Sequence, residues 1–313
     1  MLRYALRRLV QFVVVMWASS LIVFIAIYAI GDPVKLILPL GSPPAEIQHF
    51  RHQLGLDQPL GVQYLDFLWR IVHGDLGQSL WLGQPALQAV LERVPVTGTL
   101  VVSAVILGTV VGVTLGVVAS YRPGGWIDNF INALSYILIS VAPFWLALMV
   151  ILLFGVRLGW FSTEGFAWDA DHLVLPILTL AVVPTGHVAQ VTRSLMIAES
   201  RKQYLTTARA KGLSEPEIAI RHQLRNVSLP IITLIFYDFA RLFVGDALVV
   251  EVVFSIQGVG GLAAGALERG DIFLAQAAVI VASVIVALAT VTADLICMRL
   301  DPRILDVVKP AAR

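Results

Sequence analysis

The chain has 313 residues, of which 58% are hydrophobic and only 14% charged, where soluble domains carry roughly a quarter charged residues. That deficit excludes an ordinary soluble enzyme or binding module, and a formal net charge of +1 gives no basis for nucleic-acid binding. The single cysteine, Cys297, excludes an intrachain disulfide and any multi-cysteine metal site, and it reads as a small apolar filler near a helix end.

A helix needs about 20 apolar residues to cross the hydrocarbon core. By that test the sequence predicts six spans, at residues 9–30, 96–120, 131–154, 173–191, 229–250 and 273–297. The first follows a basic start (Arg3, Arg7, Arg8) but is longer than the apolar part of a signal peptide, so it reads as an uncleaved helix. The N-terminus, the 121–129 loop, the segment 193–228 and the tail after Met298 together hold 15 of the 22 Lys and Arg residues. Cytoplasmic loops are rich in these residues, so both termini and the 193–228 segment are expected in the cytoplasm. Residues 1–30 then form an N-terminal transmembrane helix and 31–95 an extracytoplasmic helical region. A transmembrane core follows at 96–300 and a cytoplasmic tail at 301–313.

The outer region carries its own pattern. Leu65, Leu68, Trp69 and Val72 fall at i, i+3, i+4 and i+7, the stripe of an amphipathic helix. Ile47, Phe50 and Leu54 also repeat at helical spacing after Ser42-Pro43-Pro44, and Gly74-Asp75-Leu76-Gly77 reads as a turn. Short helices lying along the outer membrane face or packed on the tops of the spans are expected. In the second span Gly108, Gly112 and Gly116 repeat every fourth residue, a face suited to close helix packing inside a bilayer.

The polar segment between the fourth and fifth spans contains seven cations: Arg193, Arg201, Lys202, Arg209, Lys211, Arg221 and Arg225. It cannot lie in hydrocarbon. No Gly or Pro interrupts 199–211, and Gly212 then sits where a helix ends in a left-handed residue. Ser214-Glu215-Pro216-Glu217 has the capping-box pattern, with Pro216 tolerated in a first turn. Two short helices meeting at an angle are predicted. Small residues (Thr207, Ala208, Ala210) near the bend would suit insertion into a groove of another protein.

These residues resemble a known family. Thr206-Thr207-Ala208-x3-Gly212, nine residues and then His222-x-Leu224-Arg225 is similar to the EAA loop of ABC-importer permeases, Glu-Ala-Ala-x3-Gly-x9-Ile-x-Leu-Pro. Tyr204 to Ser214 with Arg221 to Asn226 is similar to the variant in the dipeptide/oligopeptide/nickel branch. Gly31-Asp32-Pro33, Leu54-Gly55-Leu56-Asp57-Gln58-Pro59-Leu60, Gly74-Asp75-Leu76-Gly77-x-Ser79, Glu251-x-Val253-Phe254-Ser255, Gly258-Val259-Gly260 and Asp301-Pro302-Arg303 match the same branch in order. They point to the paralogue with a long outer region after its first helix.

The resemblance implies an all-α membrane protein with six transmembrane helices, the type I ABC importer permease fold and cytoplasmic termini in the inner membrane. It implies a second homologous permease, two ATP-binding subunits and an extracytoplasmic solute-binding protein as partners. ATP and Mg2+ would sit on the partner subunits, and this chain would hold no cofactor. Tyr204, Thr206, Thr207, Ala208, Arg209, Ala210, Lys211, Gly212, Leu213 and Ser214 would form the coupling element seated on an ATPase. The cargo would be a dipeptide, an oligopeptide, a nickel chelate, glutathione or an opine-like compound.

Charges inside the spans pose a separate question. Asp238 and Arg241 stand at i, i+3 in the fifth span, with Asp246 two turns beyond Asp238. Such groups should pair or face water, either fixing helix packing or lining a path where a peptide's termini meet Asp and Arg. His187 reads as a hydrogen-bonded packing residue rather than a ligand, and Asp294 as a helix-packing residue. A P-loop, His-Glu-x-x-His and Gly-x-Ser-x-Gly are all missing from the sequence, which argues against an enzyme. An ion-gradient-driven secondary transporter is the main rival, but the paired halves common in such carriers are not visible.

Overall fold

The computed structural model describes residues 2–30, 43–53 and 57–300. Gly31-Asp32-Pro33, Ser42, Leu54-Gly55-Leu56, Asp301-Pro302-Arg303 and the tail 301–313 lie outside the described residues, as do the side chains of Ile47 and Phe50. Among the described residues the chain is helical: α1 (Leu2–Ile30), α2 (Pro44–Gln53), α3 (Leu60–Val72), α4 (Ala86–Leu91), α5 (Val94–Ser120), α6 (Trp126–Ser140), α7 (Pro143–Val150), α8 (Ala170–Glu199), α9 (Gln203–Ala210), α10 (Glu215–Ile218), α11 (Leu224–Arg241), α12 (Ala247–Val253), α13 (Val259–Glu268) and α14 (Ile272–Leu300). Widened π-helical turns extend α7 (Ile151–Arg157), join α10 to α11 (Ala219–Gln223) and join α11 to α12 (Leu242–Asp246).

Among the described residues, four stretches are long and apolar enough to cross a membrane: Ala86–Ser120, Ala170–Glu199, Glu215–Val253 and Ile272–Leu300. A fifth arises if α6 and the extended α7 count as one span, although they are bent by 98°. In α1 the apolar stretch among the described side chains is Val10–Ile25. The continuous third span expected at 131–154 is therefore broken. Pro143 opens α7 and holds Ala142 in an extended conformation (ψ 128), because a residue before proline avoids helical geometry.

The chain divides into two compact units. The first comprises Met1–Thr97 and Ser255–Ala287. Here α3 turns Tyr64, Phe67 and Ile71 inward: the Tyr64 hydroxyl lies 3.0 Å from Ser20 Oγ, and Phe24 meets the rings of Tyr64 and Phe67. Of the predicted stripe, Leu65, Trp69 and Val72 face outward and are at least 66% exposed, while Leu68 is partly buried. A helix with two apolar faces gives no periodic signal for which one is covered.

Farther along this unit, Leu76, Ala86, Ala89 and Val90 form a core with Leu262 and Ala266 of α13 and Leu274 of α14. Buried Asp271 accepts hydrogen bonds from Ser79 Oγ and the Trp81 N–H, and it caps α14 by accepting from the Leu274 N–H. Arg269 lies 3.9 Å over the Trp81 ring. The turn at residues 74–85 is thereby tied to the start of α14.

The second unit comprises Gly98–Phe254 and Leu288–Arg313. Its axis is α8, 30 residues or about 45 Å long, against which α6, α7, α11 and α12 pack. Asp169 caps its N-terminus by accepting from the His172 N–H at 3.0 Å. The glycines of α5 allow the closest approach to this axis. A Cβ on Gly108, Gly112 or Gly116 would come within 3.0 Å of α8 atoms, from Pro184 to Arg193. At Gly112 the obstacle is the Thr185 carbonyl oxygen at 2.8 Å, which cannot rotate away. We expect Gly112→Ala to lower stability by about 1–3 kcal/mol, as overpacking does. Gly98→Ala, on the same helix with nothing within 4 Å, should be neutral or slightly stabilising. Thermal unfolding in detergent micelles checks both.

Candidate functional site

Two polar assemblies stand out in the second unit. The first is the segment between α8 and α11. Its bend turns on Gly212, at φ +81, whose N–H donates to the Arg209 carbonyl at 2.9 Å. The left-handed conformation ends α9 without the steric cost that a Cβ would impose. Leu205, Ala208 and Ile218 are buried against one another, with Leu213 beside them, so the helix pair has a small core of its own.

Across the outside of the bend, Arg209 Nε donates to Glu215 Oε1 at 2.8 Å, and the carboxylate raises the Arg209 pKa. Both groups are exposed, so this bond defines geometry more than it stabilises. The capping box expected at Ser214 does not form. Ser214 is the N-cap residue, but its hydroxyl makes no capping bond, and Glu217 pairs forward with Arg221 at 3.0 Å.

Sequence reasoning missed what anchors this segment. Glu199, buried at the end of α8, accepts from the Tyr204 hydroxyl at 2.7 Å, pairs with Lys202 Nζ at 2.7 Å and receives Asn226 Nδ2 of α11 at 3.3 Å. Asn226 also donates to the Tyr204 oxygen at 2.8 Å. One carboxylate thus joins three helices. Burial, then the bond to Glu199, pushes the Tyr204 phenol up to about 12, so it remains a neutral donor at any physiological pH. The available signal was an acidic residue at the polar end of an apolar run, five positions before a tyrosine.

A second anchor lies just above. Asp128, fully buried in the first turn of α6, accepts from Arg193 Nε and from Arg193 Nη2 (2.8 Å), and from the Gly124 N–H at 2.8 Å.

Ten residues were expected to form one coupling surface, and the structure sorts them. Thr206, Thr207, Arg209, Ala210, Lys211, Gly212 and Ser214 are exposed on and around the bend. Ala208 is not. It is 7% exposed and faces the inner cluster with Leu213, because a helix that lies across the ends of α8 and α11 must bury one side. A bulky residue at Ala208 would therefore break the bend rather than test its surface. Tyr204 is partly exposed but committed to Glu199.

The second assembly lies within α8 and α11. His187 Nδ1 is 3.0 Å from Asp238 Oδ1, and Arg241 Nη1 is 3.1 Å from Asp246 Oδ2. Arg241 Nε stands 3.6 Å from Asp238 Oδ1, beyond a good hydrogen bond. The expected i, i+3 ion pair is therefore present, though looser than the one between Arg241 and Asp246. Asp246 reaches Arg241 only through the π-helical turn at 242–246. In a regular α-helix residues five apart lie about 140° around the axis from one another. His187, expected as a hydrogen-bonded packing residue, makes that bond to Asp238 and so links α8 to this cluster. Cys297 Sγ lies 3.6 Å from Thr233 Oγ1, away from both assemblies.

Comparison with known proteins bears on these two assemblies. Residues 112–306 match the family described as binding-protein-dependent transport system inner membrane component, and residues 1–101 match its N-terminal membrane component. A Brucella abortus permease protein named for peptide transport is 35% identical over 307 residues, covering 96% of this chain and 98% of the relative. The oligopeptide transport system permease AppB of Bacillus subtilis is 32% identical, covering 97% of this chain and 99% of its own length. The glutathione transport system permease GsiC of Escherichia coli is also 32% identical, with 97% and 99% covered. Among solved structures, a chain of the inward-facing MetNI methionine ABC transporter is similar in fold: TM-score 0.55, 19% identity, 68% of this chain and 96% of that one. The fold is thus that of a type I ABC importer permease, and the gradient-driven carrier reading is set aside. By family, by fold and by its apolar helices, this chain belongs to the inner-membrane permease components of binding-protein-dependent transport systems.

Proposed function

We propose that this chain is one half of the membrane channel of an ATP-driven importer for peptides or a chemically related small solute. It works with a second homologous permease, two ATP-binding subunits that carry ATP and Mg2+, and an extracytoplasmic binding protein that delivers cargo. The proposed topology has six spans, with α6 and α7 forming a bent third one, and both termini in the cytoplasm. Peptide-like cargo is carried over from the names of the relatives described above.

The bend at Gly212 is the observation that carries this reading. It is a stiff knob with its own core, bonded through Glu199 to the ends of α8 and α11, and it bears no catalytic constellation. A motor subunit that grips such a knob moves two membrane helices with it. Coupling requires an element contacted differently in two states, and a rigid one transmits the difference best. In that arrangement Thr206, Thr207, Arg209, Ala210, Lys211, Gly212 and Ser214 meet the ATPase, while Asp238, Arg241 and Asp246 line the path.

Crosslinking tests the reading directly. Ala210→Cys in the purified assembly should form a bond with a cysteine in the ATPase groove, at a yield that changes when ATP binds. Ala210→Cys left open to solvent in every nucleotide state, or a preparation with no ATP-driven uptake in proteoliposomes, would sink it.

A further inference from the structure

The cluster on α8 and α11 holds unused hydrogen-bonding capacity of a particular kind. Asp238 is 1% exposed, and its Oδ2 has no partner. Buried Arg241 Nε and Nη2 also have none. Those two nitrogens form the edge of a guanidinium that grips an oxygen acceptor from the side. Arg193 shows the same edge in use: its Nε and Nη2 clasp both oxygens of Asp128. In Arg241 that edge is aligned with Asp238 but not bonded to it, while Nη1 is already held by Asp246. A buried acceptor and a pair of buried donors therefore stand side by side, each unfavourable while unmet.

Charge decides what would meet them. Carboxylates outnumber guanidinium two to one in the cluster, and His187 Nδ1 lies 3.0 Å from Asp238 Oδ1. A proton would cancel the charge but leave the Arg241 edge unmet. A metal ion needs several ligands, and no group of three metal-binding side chains occurs among the described residues. A carboxylate on Arg241 would add negative charge where there is already an excess. What remains is a group with a positive donor and a neutral oxygen acceptor close together. An α-ammonium and its adjoining carbonyl oxygen are such a pair, separated by about 3 Å through two bonded carbons.

We propose that His187, Asp238, Arg241 and Asp246 form a subsite for the amino-terminal end of the cargo. The ammonium binds Asp238 Oδ2, and the adjoining carbonyl oxygen binds the Nε and Nη2 edge of Arg241. His187 positions Asp238 from the neighbouring helix, and Asp246 holds Arg241 in place through the π-helical turn. The site recognises one end of a peptide, not both. His187, Arg241 and Asp246 are each about a quarter exposed in side chain, so the cluster reaches the surface of its unit while its free atoms lie beneath. This assignment rests on the importer reading above and adds the part of the cargo that the channel itself reads.

The test uses the purified transporter without its binding protein and two photoreactive probes. One is alanyl-photoleucinamide, which has the ammonium and its carbonyl but no carboxylate; the other is its N-acetyl form. Mass spectrometry locates the labelled peptides. The free amine should label α8 near His187 or α11 near 238–246 at least tenfold more than the acetylated probe. That preference should disappear in Asp238→Asn and return in Asp238→Glu. Equal labelling by both probes, labelling elsewhere, or none would overturn the subsite, and the wild-type comparison decides even if Asp238→Asn fails to fold. ATP-driven uptake by the same preparation, with its binding protein added back, is read separately. Uptake with labelling elsewhere removes only the subsite, whereas loss of ATP dependence in the wild type removes the importer reading beneath it.

Discussion

Gly212→Val should cut ATP-driven uptake by at least tenfold while the protein still inserts into the membrane. Gly212 holds φ +81, and a β-branched side chain there is strained whatever the surrounding space. Nothing lies within 4 Å of the added Cβ, so the penalty is purely conformational, on the order of 1–3 kcal/mol. Loss of that size does not unfold a membrane bundle. It does shift the bend away from the geometry that closes Leu205, Ala208 and Ile218 on one another and aligns Arg209 with Glu215. The knob would be present but misdirected. The measurement pairs uptake with ATP hydrolysis in proteoliposomes: hydrolysis should persist and lose its dependence on cargo. Gly212→Ala should be milder, because alanine tolerates the left-handed region better than valine. Normal uptake in the valine variant would mean that the bend is not the coupling element.

Arg193→Met should have the largest effect on stability, about 3–5 kcal/mol, because it leaves a buried carboxylate without its counter-charge. Asp128 is fully buried and receives both Arg193 nitrogens, with the Gly124 N–H as its other donor. One backbone amide cannot replace a guanidinium. The double variant Asp128→Leu with Arg193→Met should recover much of the loss, since exchanging a whole buried pair for apolar groups is often near neutral. Thermal unfolding of the two single variants and the double variant gives the cycle. If Arg193→Met unfolds like the wild type, the pair does not fasten α6 to α8.

How much of this was legible beforehand differs between elements. The bend at Gly212 could be read because a left-handed residue between two helix-forming runs is a local matter, settled within a few residues. The glycine stripe of α5 could be read as a contact face, but not as a contact with α8. Any neighbour would produce the same spacing. The stripe of α3 could likewise be read as an apolar face, but not what covers it: periodicity reports the face alone, and α3 has two. Ala208 looked like part of an exposed surface, and only the packing with Leu205 and Ile218 turned it inward. Ser79 stood out within a motif, but nothing in that motif connects it to Asp271, nearly two hundred positions on.

Composition and order along the chain were enough to determine the medium this protein lives in, the position of its polar insert and, through the motifs of that insert, its family. Those properties depend on averages over twenty residues or on turns shorter than ten, and the chain states them directly. Tertiary structure decided which polar groups meet: Glu199 with Tyr204 and Asn226, Arg193 with Asp128, and His187 with Asp238. It also decided that Arg241 reaches Asp246 while an edge of its guanidinium remains unbonded. The physical reason is that a buried charge is satisfied by whatever distance and direction bring to it, and in a helical membrane protein those partners come mostly from other helices or from a turn whose winding the sequence does not announce.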